Sequence, residues 1–304
     1  MDCQHIFKTP NPIIGVVHLL PLPASPRWGG DFKAVIDRAE REAAALSAGG
    51  VDGIIVENFF DAPFCSGRVD PVVVSAMTTI VSRLMGLVAQ PIGINVLRND
   101  AISSMAIATC SGAKFIRVNV FTSAMVTDQG IIEGCAHELL RYRRELNSDV
   151  KIFADVLVKH AHPLGTPNPT LAVREALERG LADGVILSGL ATGMPPSLED
   201  LELAKRAARH KPVFIGSGAD WENIPELMTA ADGVIVSSSL KRHGNIESPI
   251  DPIRVSQFVE AAQRSLVVPA VPDISTSHSV NRERDMGQNM EQNSYRAAES
   301  AIPS

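Results

Sequence analysis

The sequence predicts an α/β protein, a (β/α)8 TIM barrel in which each of eight parallel strands is followed by a helix. The first observation behind this prediction is a regular alternation of short apolar runs with helical patterns over residues 12–263. The second is a near repeat, because Val51–Val56, Ala182–Leu187 and Ala231–Val236 all carry Asp-Gly before an apolar run. Asp-Gly makes a tight turn, and such a run suits a strand buried on both faces. An open, doubly wound sheet is the alternative, although it usually has fewer units.

The strands and helices can be placed in order along the chain. Each strand is a short apolar run, and each helix begins after a residue that can cap it or after a loop. The strands are predicted at residues 13–20, 53–58, 91–98, 115–121, 152–158, 184–189, 212–217 and 233–238. The helices are predicted at residues 32–48, from 71 onward, at 101–111, 131–147, 169–180 and 198–209, after Asp220, and at 252–263. Their predicted N-caps are Asp31, Asp70, Asp100, Asn168, Ser197, Asp220 and Asp251.

Composition narrows the class of protein. The chain has 304 residues, of which 45% are hydrophobic and 20% charged, with a formal net charge of −6. An acidic balance without a basic cluster argues against a nucleic-acid partner. No apolar run reaches the ~18 residues of a membrane span, and the first residues lack the apolar core of a signal peptide. We therefore expect a cytoplasmic protein without a transmembrane segment; peripheral membrane association and homo-oligomer formation stay open.

The chain is predicted to have two parts, the barrel at residues 12–263 and an extension at residues 264–304. Beyond Asp273 the extension is mostly Ser, Asn, Arg, Glu and Gln. Such a composition buries too little apolar surface to offset the entropy lost on ordering, so we expect this part to be disordered. The stretch Leu266–Pro272 is more apolar, and it either packs as an extended strap or shares the disorder.

Polar residues gather at the predicted carboxyl ends of the strands, where barrel enzymes keep their active sites. An arginine inside a barrel needs an anion beside it, so Arg117 is expected to pair with Glu57 or Asp155, and this pair could be purely structural. Equally, His18 could be a hydrogen-bonded rim residue, and Asn58 could cap a loop. The candidates are His18, Glu57, Asn58, Asn95, Arg98, Arg117, Asn119, Asp155, Lys159, His160, Ser188 and Ser217.

Four of these residues are predicted to be catalytic. Asp155 and Lys159 share one face of the fifth strand if it alternates with period two. A buried Lys159 with a lowered pKa could act as a base or form a Schiff base, oriented by Asp155. Glu57 would be the complementary acid–base group, and Arg117 would hold an anionic intermediate. The alternative for Lys159 is a solvated residue just past its strand.

Two turns after the last two strands predict a phosphate site. Gly216, Ser217 and Gly218 follow the seventh strand, and Ser237 and Ser238 follow the eighth. Barrels often bind phosphate there through backbone N–H groups, and serine hydroxyls add donors. A phosphorylated small molecule is therefore the predicted ligand, although glycine is also common in such turns for structural reasons. The remaining predicted contacts are His18, Asn58, Asn95, Asn119, His160 and Ser188.

No cofactor or metal is predicted. The sequence lacks a Rossmann fingerprint, a Walker loop and a zinc signature, and its four cysteines lie far apart. A metal held by Asp155, His160 and His162 is the alternative, but no other group has the spacing of metal ligands.

Short motifs recur along the predicted barrel, most of them at or just after the predicted strands. They are Val17–Pro23, Asp52–Asn58, Asp61–Phe64, Gly93–Asp100, Phe115–Asn119, Asp128–Gly130, Ala154–Ala161, Ser188–Gly189, Thr192–Gly193 and Gly216–Gly218. Together these motifs resemble those of one family, the BtpA/SgcQ family, over about residues 12–263. In two places the chain departs from the pattern that the resemblance implies. Phe60 stands where glycine is expected, which would narrow the loop after the second strand, and Ser237 and Ser238 replace a Gly-Thr pair.

The resemblance implies a role in the assembly or stability of photosystem I in cyanobacteria. Because similar proteins occur in organisms without photosynthesis, that role cannot be the chemistry that the family shares. Two hypotheses follow. One is an enzyme, a lyase, isomerase or hydrolase acting on a sugar phosphate or nucleotide-like compound. The other is a non-catalytic biogenesis factor for a membrane complex, which would need exposed apolar patches rather than a polar barrel mouth.

Overall fold

Eight parallel strands form a closed barrel in which each strand pairs with the barrel strands that come before and after it in the chain, and the last pairs with the first; three further strands form a separate sheet. The computed structural model describes residues 3–156, 158, 161–165, 168–189 and 194–266. The predicted (β/α)8 class is confirmed. The strands of the described residues are β1 (Ile13–His18), β2 (Gly53–Glu57), β3 (Ile92–Asn95), β4 (Phe115–Val118), β5 (Ala124–Thr127), β6 (Gly130–Glu133), β7 (Lys151–Val156), β8 (Ala161–Pro163), β9 (Gly184–Leu187), β10 (Val213–Ile215) and β11 (Gly233–Val236).

Helices surround the barrel, and most begin at the predicted caps. The side chains of Asp31, Asp70, Asp100, Asn168 and Ser197 each accept a hydrogen bond from a backbone N–H of the first turn. The α-helices of the described residues are α1 (Gln4–Phe7), α2 (Phe32–Ala48), α3 (Pro71–Leu87), α4 (Ala101–Ser111), α5 (Ala136–Glu145), α6 (Pro169–Arg174, continued by a π-helical turn, Glu175–Arg179), α7 (Leu198–Ala208), α8 (Ile224–Leu227) and α9 (Pro252–Leu266).

One predicted cap is wrong. Helix α8 begins only at Ile224, after Asn223, and no side chain caps it. Asp220 instead accepts hydrogen bonds from the backbone N–H groups of Glu222 and Asn223, both at 2.9 Å. It therefore forms a turn ahead of the helix, because an aspartate side chain bonds as readily to a following turn as to a helix start.

Aromatic rings fill the amino-terminal half of the barrel. Phe115, Phe153 and Phe214 point inward from β4, β7 and β10, and Phe7 of α1 packs on Phe115 with ring centroids 5.3 Å apart. A side chain at Gly93 would meet the Phe115 ring at 2.2 Å, so glycine makes room for that ring. Helix α1 thus closes this end of the barrel from a position before residue 12, where the sequence placed the start of the domain.

A second sheet, formed by β5, β6 and β8, lies beside the carboxyl ends of β4 and β7. Its strands are antiparallel in the order β6-β5-β8 and enclose a small core of Val120, Met125, Ile132 and Val158. The prediction of a loop to residue 130 and a helix from 131 is wrong there. Residues 130–133 pair with 124–127 instead, since Thr127 and Gly130 close a tight hairpin that the sequence reading missed.

The last helix, α9, ends at Leu266, whereas the sequence placed its end at about residue 263. The predicted strap and disordered tail lie, from residue 267 onward, outside the described residues. Among the helices of the described residues, none combines the length and the hydropathy needed to cross a lipid bilayer.

Candidate functional site

A layer of polar side chains lies above the aromatic rings, at the carboxyl ends of the strands. Strand alternation points every second side chain into the barrel, so the positions that follow Phe115 and Phe153 on the inner face are Arg117 and Asp155. In the register of the sheet, Glu57 of β2 lies between His18 of β1 and Asn95 of β3. Five predicted site residues therefore come together inside the barrel.

Arg117 joins two carboxylates. Its Nε and Nη2 donate to Asp155 Oδ2 and Oδ1, both at 3.0 Å, and its Nη1 donates to Glu57 Oε1 at 3.4 Å. We call Glu57, Arg117 and Asp155 the inner cluster. The predicted ion pair of Arg117 is present, with both of the suggested partners. Asn95 Nδ2 donates to Glu57 Oε1 at 3.1 Å, and Asn119 Nδ2 donates to Asp155 Oδ2 at 2.6 Å.

Two members of the inner cluster, Glu57 and Arg117, have pKa values shifted toward their charged forms. Burial alone would raise the pKa of Glu57, but the contact with His18, the charge of Arg117 and the Asn95 hydrogen bond together lower that pKa to about 2. Burial would likewise lower the pKa of Arg117, and the charges of Asp155 and Glu57 outweigh it and raise that pKa. A charged guanidinium held between two acceptors is a fixed dipole that can stabilise charge in a bound molecule.

His18 connects this layer to the turn after β11. Its Nε2 lies 3.6 Å from Glu57 Oε2, and its Nδ1 lies 3.4 Å from Ser237 Oγ. Burial lowers the pKa of His18 in spite of the opposing charge of Glu57, so the ring is neutral near pH 7. Phe59 stacks on the imidazole with ring centroids 4.2 Å apart, and Phe60 meets it edge-on.

Asn58 is fully engaged in joining loops. Its Oδ1 accepts from Leu97 N at 2.7 Å, and its Nδ2 donates to Asp61 Oδ2 at 3.0 Å. Asp61 in turn accepts from Leu22 N at 2.7 Å, so three loops at the mouth are tied together. These bonds support the structural alternative for Asn58, and its contact with a ligand stays a prediction.

The two turns of the predicted phosphate site lie against each other. Ser239 Oγ donates to Ala219 O at 2.8 Å, and Arg254 of α9 donates from Nε to Ser239 O at 2.9 Å while its guanidinium stacks over Trp221 at 4.5 Å. Gly218 has a positive φ of 75°, and a side chain there would meet the backbone of Met194 at 2.2 Å. Packing of this turn against the loop after β9 therefore requires glycine.

A second group of buried charges holds the turn after β11 from behind. Lys241 is fully buried, and its Nζ donates to Glu42 Oε1 at 3.2 Å, while Arg38 Nε donates to the same oxygen at 2.6 Å. We call Arg38, Glu42 and Lys241 the outer cluster. Burial lowers the pKa of Lys241, and the charge of Glu42 opposes that shift. Glu42 interrupts the apolar face of α2 and was the one sequence signal for this cluster.

Two predicted site residues, Lys159 and His160, lie outside the described residues. Strand β7 ends at Val156, and the predicted position of Lys159 on the face of Asp155 stays a prediction. His162 is exposed on β8. In the described part of the chain, no three side chains of the kinds that bind metals come together as a metal site.

A closed (β/α)8 barrel with ionisable side chains inside the carboxyl ends of its strands defines the class of protein. A model of the BtpA family matches residues 9–264 of this sequence. The chain belongs to the BtpA family.

Relatives cover most of the chain. The photosystem I biogenesis protein BtpA of Synechocystis sp. is 72% identical over 266 residues, which are 88% of this chain and 93% of that protein. An uncharacterized protein of Pyrococcus furiosus is 49% identical over 249 residues, 82% of this chain and 94% of its own length. Among solved structures, N-(5'-phosphoribosyl)anthranilate isomerase from Pyrococcus furiosus aligns over 84% of this chain and all of its own, with a TM-score of 0.51. At 16% identity that likeness shows the fold alone.

Proposed function

We propose that the protein is an enzyme that acts on a phosphorylated small molecule inside the mouth of the barrel. The observation that carries the proposal is the inner cluster, with Asp155 only 7% and Glu57 only 5% exposed. Burying two carboxylates and a guanidinium is costly, and apolar residues of similar volume would stabilise a barrel at least as well. Charges kept in such a place are typical of a catalytic site.

Each member of the layer has a chemical role in this proposal. Glu57, ionised because its pKa is near 2, accepts hydrogen bonds and acts as an electrostatic partner rather than as an acid. The acid–base role that the sequence suggested for Glu57 stays an untested prediction; a general acid works best with a pKa nearer to neutrality. His18 is the neutral group beside it and can exchange a proton with a substrate. The roles of Asp155 and Lys159 stay as predicted from the sequence.

The phosphate would bind at the two turns of the predicted site, which follow β10 and β11 and are joined by the hydrogen bond from Ser239 to Ala219. Ser217 and Ser237 offer hydroxyl donors, and Arg254 brings a positive charge to the same two loops. The brace from Ser239 to Ala219 holds the turns together before any ligand arrives, which reduces the entropy lost on binding.

A second function has its own supporting observation. Val126 and Ile131 are paired across β5 and β6, and both are well exposed, at 41% and 59%. Exposed apolar pairs of this kind suit a protein partner, and the name of the Synechocystis relative fits an assembly role. The relative in Pyrococcus furiosus, an organism without photosynthesis, favours a shared chemistry that such a role cannot supply.

A thermal-shift experiment tests the proposed phosphate-binding site. Inorganic phosphate and a panel of sugar phosphates and nucleotides should raise the Tm of the protein, and Ser217→Ala and Ser237→Ala should weaken that response. Ser256→Ala, on α9, serves as the matched control because its hydroxyl bonds only within its own helix. Gly218 is unsuitable for this test, since any side chain there collides with backbone and would unfold the turn.

A measurement of turnover then distinguishes an enzyme from a non-catalytic biogenesis factor. If the protein is an enzyme, a phosphorylated compound that stabilises it should be converted, and Asp155→Asn and Lys159→Ala should abolish conversion while the phosphate response is kept. A protein that shows no response to any phosphorylated compound, or whose ligand response is unaffected by all four variants, would refute the proposed site.

A further inference from the structure

Two polar atoms inside the barrel are buried and have no hydrogen-bond partner among the described residues. They are Asn119 Oδ1 and Ser188 Oγ. Asn119 as a whole is 5% exposed, so water reaches its amide poorly. A buried polar atom without a partner is destabilising, and native structures usually satisfy such an atom with an ordered water, an ion or a group of a bound ligand.

The amide of Asn119 has a fixed orientation. Its Nδ2 donates to Asp155 Oδ2 at 2.6 Å, and Asp155 also accepts two hydrogen bonds from Arg117, so it is a carboxylate that can only accept. Rotating the amide by 180° would place two oxygens against each other. Asn119 Oδ1 is therefore the free end of the amide, and it requires a donor from whatever binds beside it.

The charges around this position select a neutral donor. Asp155 and Glu57 are negative, Arg117 is positive, and Arg98, 8% exposed, lies within electrostatic range of all three. The formal charges of these four side chains add to zero, and Asp128, the other charge that acts on Arg98, lies outside the barrel on the turn between β5 and β6. A ligand carboxylate would face two carboxylates, and a ligand ammonium would face two guanidinium groups, whereas a hydroxyl meets neither penalty.

The two atoms lie on either side of Asp155. Asn119 follows β4 and Ser188 follows β9, and these are the two strands that flank β7. Ser188 Oγ is also next to the predicted phosphate turn, since a side chain at Gly216 would come within 2.5 Å of it. A molecule that extends from that turn into the barrel therefore passes Ser188 first, then Asp155, and then Asn119.

We propose that the ligand is a phosphate ester of a polyol or sugar, with hydroxyl groups bound by Ser188, Asp155 and Asn119. The phosphate end of this ligand rests on the proposed function, but recognition of the hydroxyl groups does not. Nucleotides fit this arrangement less well, because the part of the barrel beyond Ser188 offers hydrogen-bond acceptors rather than an apolar slot for a base.

Matched probes test the hydroxyl groups directly. Glycerol 3-phosphate and propyl phosphate have the same chain length and charge, and they differ by two hydroxyls. Glycerol 3-phosphate should bind to the full-length protein about tenfold or more tightly, as expected for two additional hydrogen bonds. Phosphoethanolamine and 3-phosphoglycerate, with an ammonium and a carboxylate at the same end, should bind no better than propyl phosphate. Calorimetry or competition against a fluorescent phosphate ester would measure each affinity.

Variants assign the effect to the two atoms. Asn119→Leu and Ser188→Ala should each reduce the preference for glycerol 3-phosphate severalfold and leave the affinity for propyl phosphate unchanged; Ser256→Ala should change neither. Ser188→Ala removes a single atom, so it keeps the test valid if Asn119→Leu does not fold.

The outcomes separate this inference from the proposed function. Equal affinity for glycerol 3-phosphate and propyl phosphate would overturn the inference and leave the phosphate site standing, as would tighter binding of phosphoethanolamine. Binding of free glycerol without any contribution from phosphate would support the inference and overturn the phosphate site. If none of the probes binds, both are wrong.

Discussion

The inner and outer clusters are both triads of buried charges, yet they differ in composition and surroundings. In the outer cluster a single carboxylate, Glu42, is bound by two cations, and Lys241 is completely buried. In the inner cluster a single cation, Arg117, is shared by two carboxylates. The inner cluster also contacts two amides and a histidine, and one of those amides keeps an oxygen without a partner among the described residues.

This difference distinguishes a structural role for the outer cluster from a chemical role for the inner cluster. The outer cluster is closed, so it can do little more than attach the turn after β11 to α2. The inner cluster lies at the end of the barrel interior, where its neighbours still have hydrogen-bonding capacity for another molecule. Burial of charge is therefore a weak sign of function by itself, and unused hydrogen-bonding capacity beside it is the stronger sign.

The largest expected effect concerns the outer cluster. Lys241→Ala leaves Glu42 buried with only Arg38 beside it, and we expect a loss of about 3–5 kcal/mol in the free energy of unfolding. Urea denaturation would measure this loss. The double variant Glu42→Leu with Lys241→Met should recover much of it, because apolar side chains of similar volume replace the pair.

Phosphate binding by the fraction of Lys241→Ala protein that remains folded should be close to normal, since the outer cluster contacts no ligand group. Wild-type stability in Lys241→Ala would mean that the pair contributes nothing to folding. Normal stability with lost phosphate binding would move Lys241 into the functional site.

Most of the barrel could be predicted from the sequence, but less of the loops and hairpin at the carboxyl ends of its strands. Strand runs such as Gly184–Leu187 and caps such as Asp31 act locally, and local patterns survive folding when tertiary contacts agree with them. The hairpin of β5 and β6 was missed because each of its strands has only four residues and its core includes Val158, from a distant part of the chain. Helix α1 was not predicted because the feature that explains its position is a tertiary contact, the packing of Phe7 on Phe115.

In the candidate site, too, features set by local sequence could be predicted, and features set by contacts between distant residues could not. Residues at strand ends, such as Glu57 and Asp155, could be predicted as a group because parallel strands bring their carboxyl ends together. That Arg117 binds both carboxylates could be predicted only as an alternative, since the choice depends on side-chain reach across three strands. The stacking of Phe59 on His18, and the brace from Arg254 to Ser239, had no signal in the sequence.

A smaller effect is expected inside the inner cluster. Asp155 accepts three hydrogen bonds at 2.6–3.0 Å, whereas the contacts of Glu57 are longer, at 3.1–3.6 Å. Asp155→Ala should therefore cost about 2–3 kcal/mol of unfolding free energy, and Glu57→Ala should cost less. In both variants Arg117 keeps one carboxylate partner, so neither should be as damaging as Lys241→Ala.

Urea denaturation of the two alanine variants, with Asp155→Asn and Glu57→Gln as shape-preserving controls, would check this order. A larger loss in Glu57→Ala than in Asp155→Ala would contradict the hydrogen-bond distances. A loss above that of Lys241→Ala would show that the inner cluster is the more structural of the two.

The smallest effect is a pH dependence at His18, the residue on which the charges of both clusters act. Burial lowers its pKa from the ordinary value of 6.5, so the unfolded chain binds a proton in a pH range where the folded protein does not. Stability should therefore fall as the pH is lowered through about 6.5 toward the lower folded pKa, and this contribution should be constant above that range. His18→Asn should remove this part of the slope, so the variant should lose less stability than the wild type between pH 7 and pH 5. Urea midpoints at several pH values would measure it, with a replacement of the exposed His210 as the control for losing a histidine. A steeper loss in His18→Asn would mean that the folded protein holds His18 protonated against Glu57, and the neutral proton-exchange role proposed for it would then be wrong.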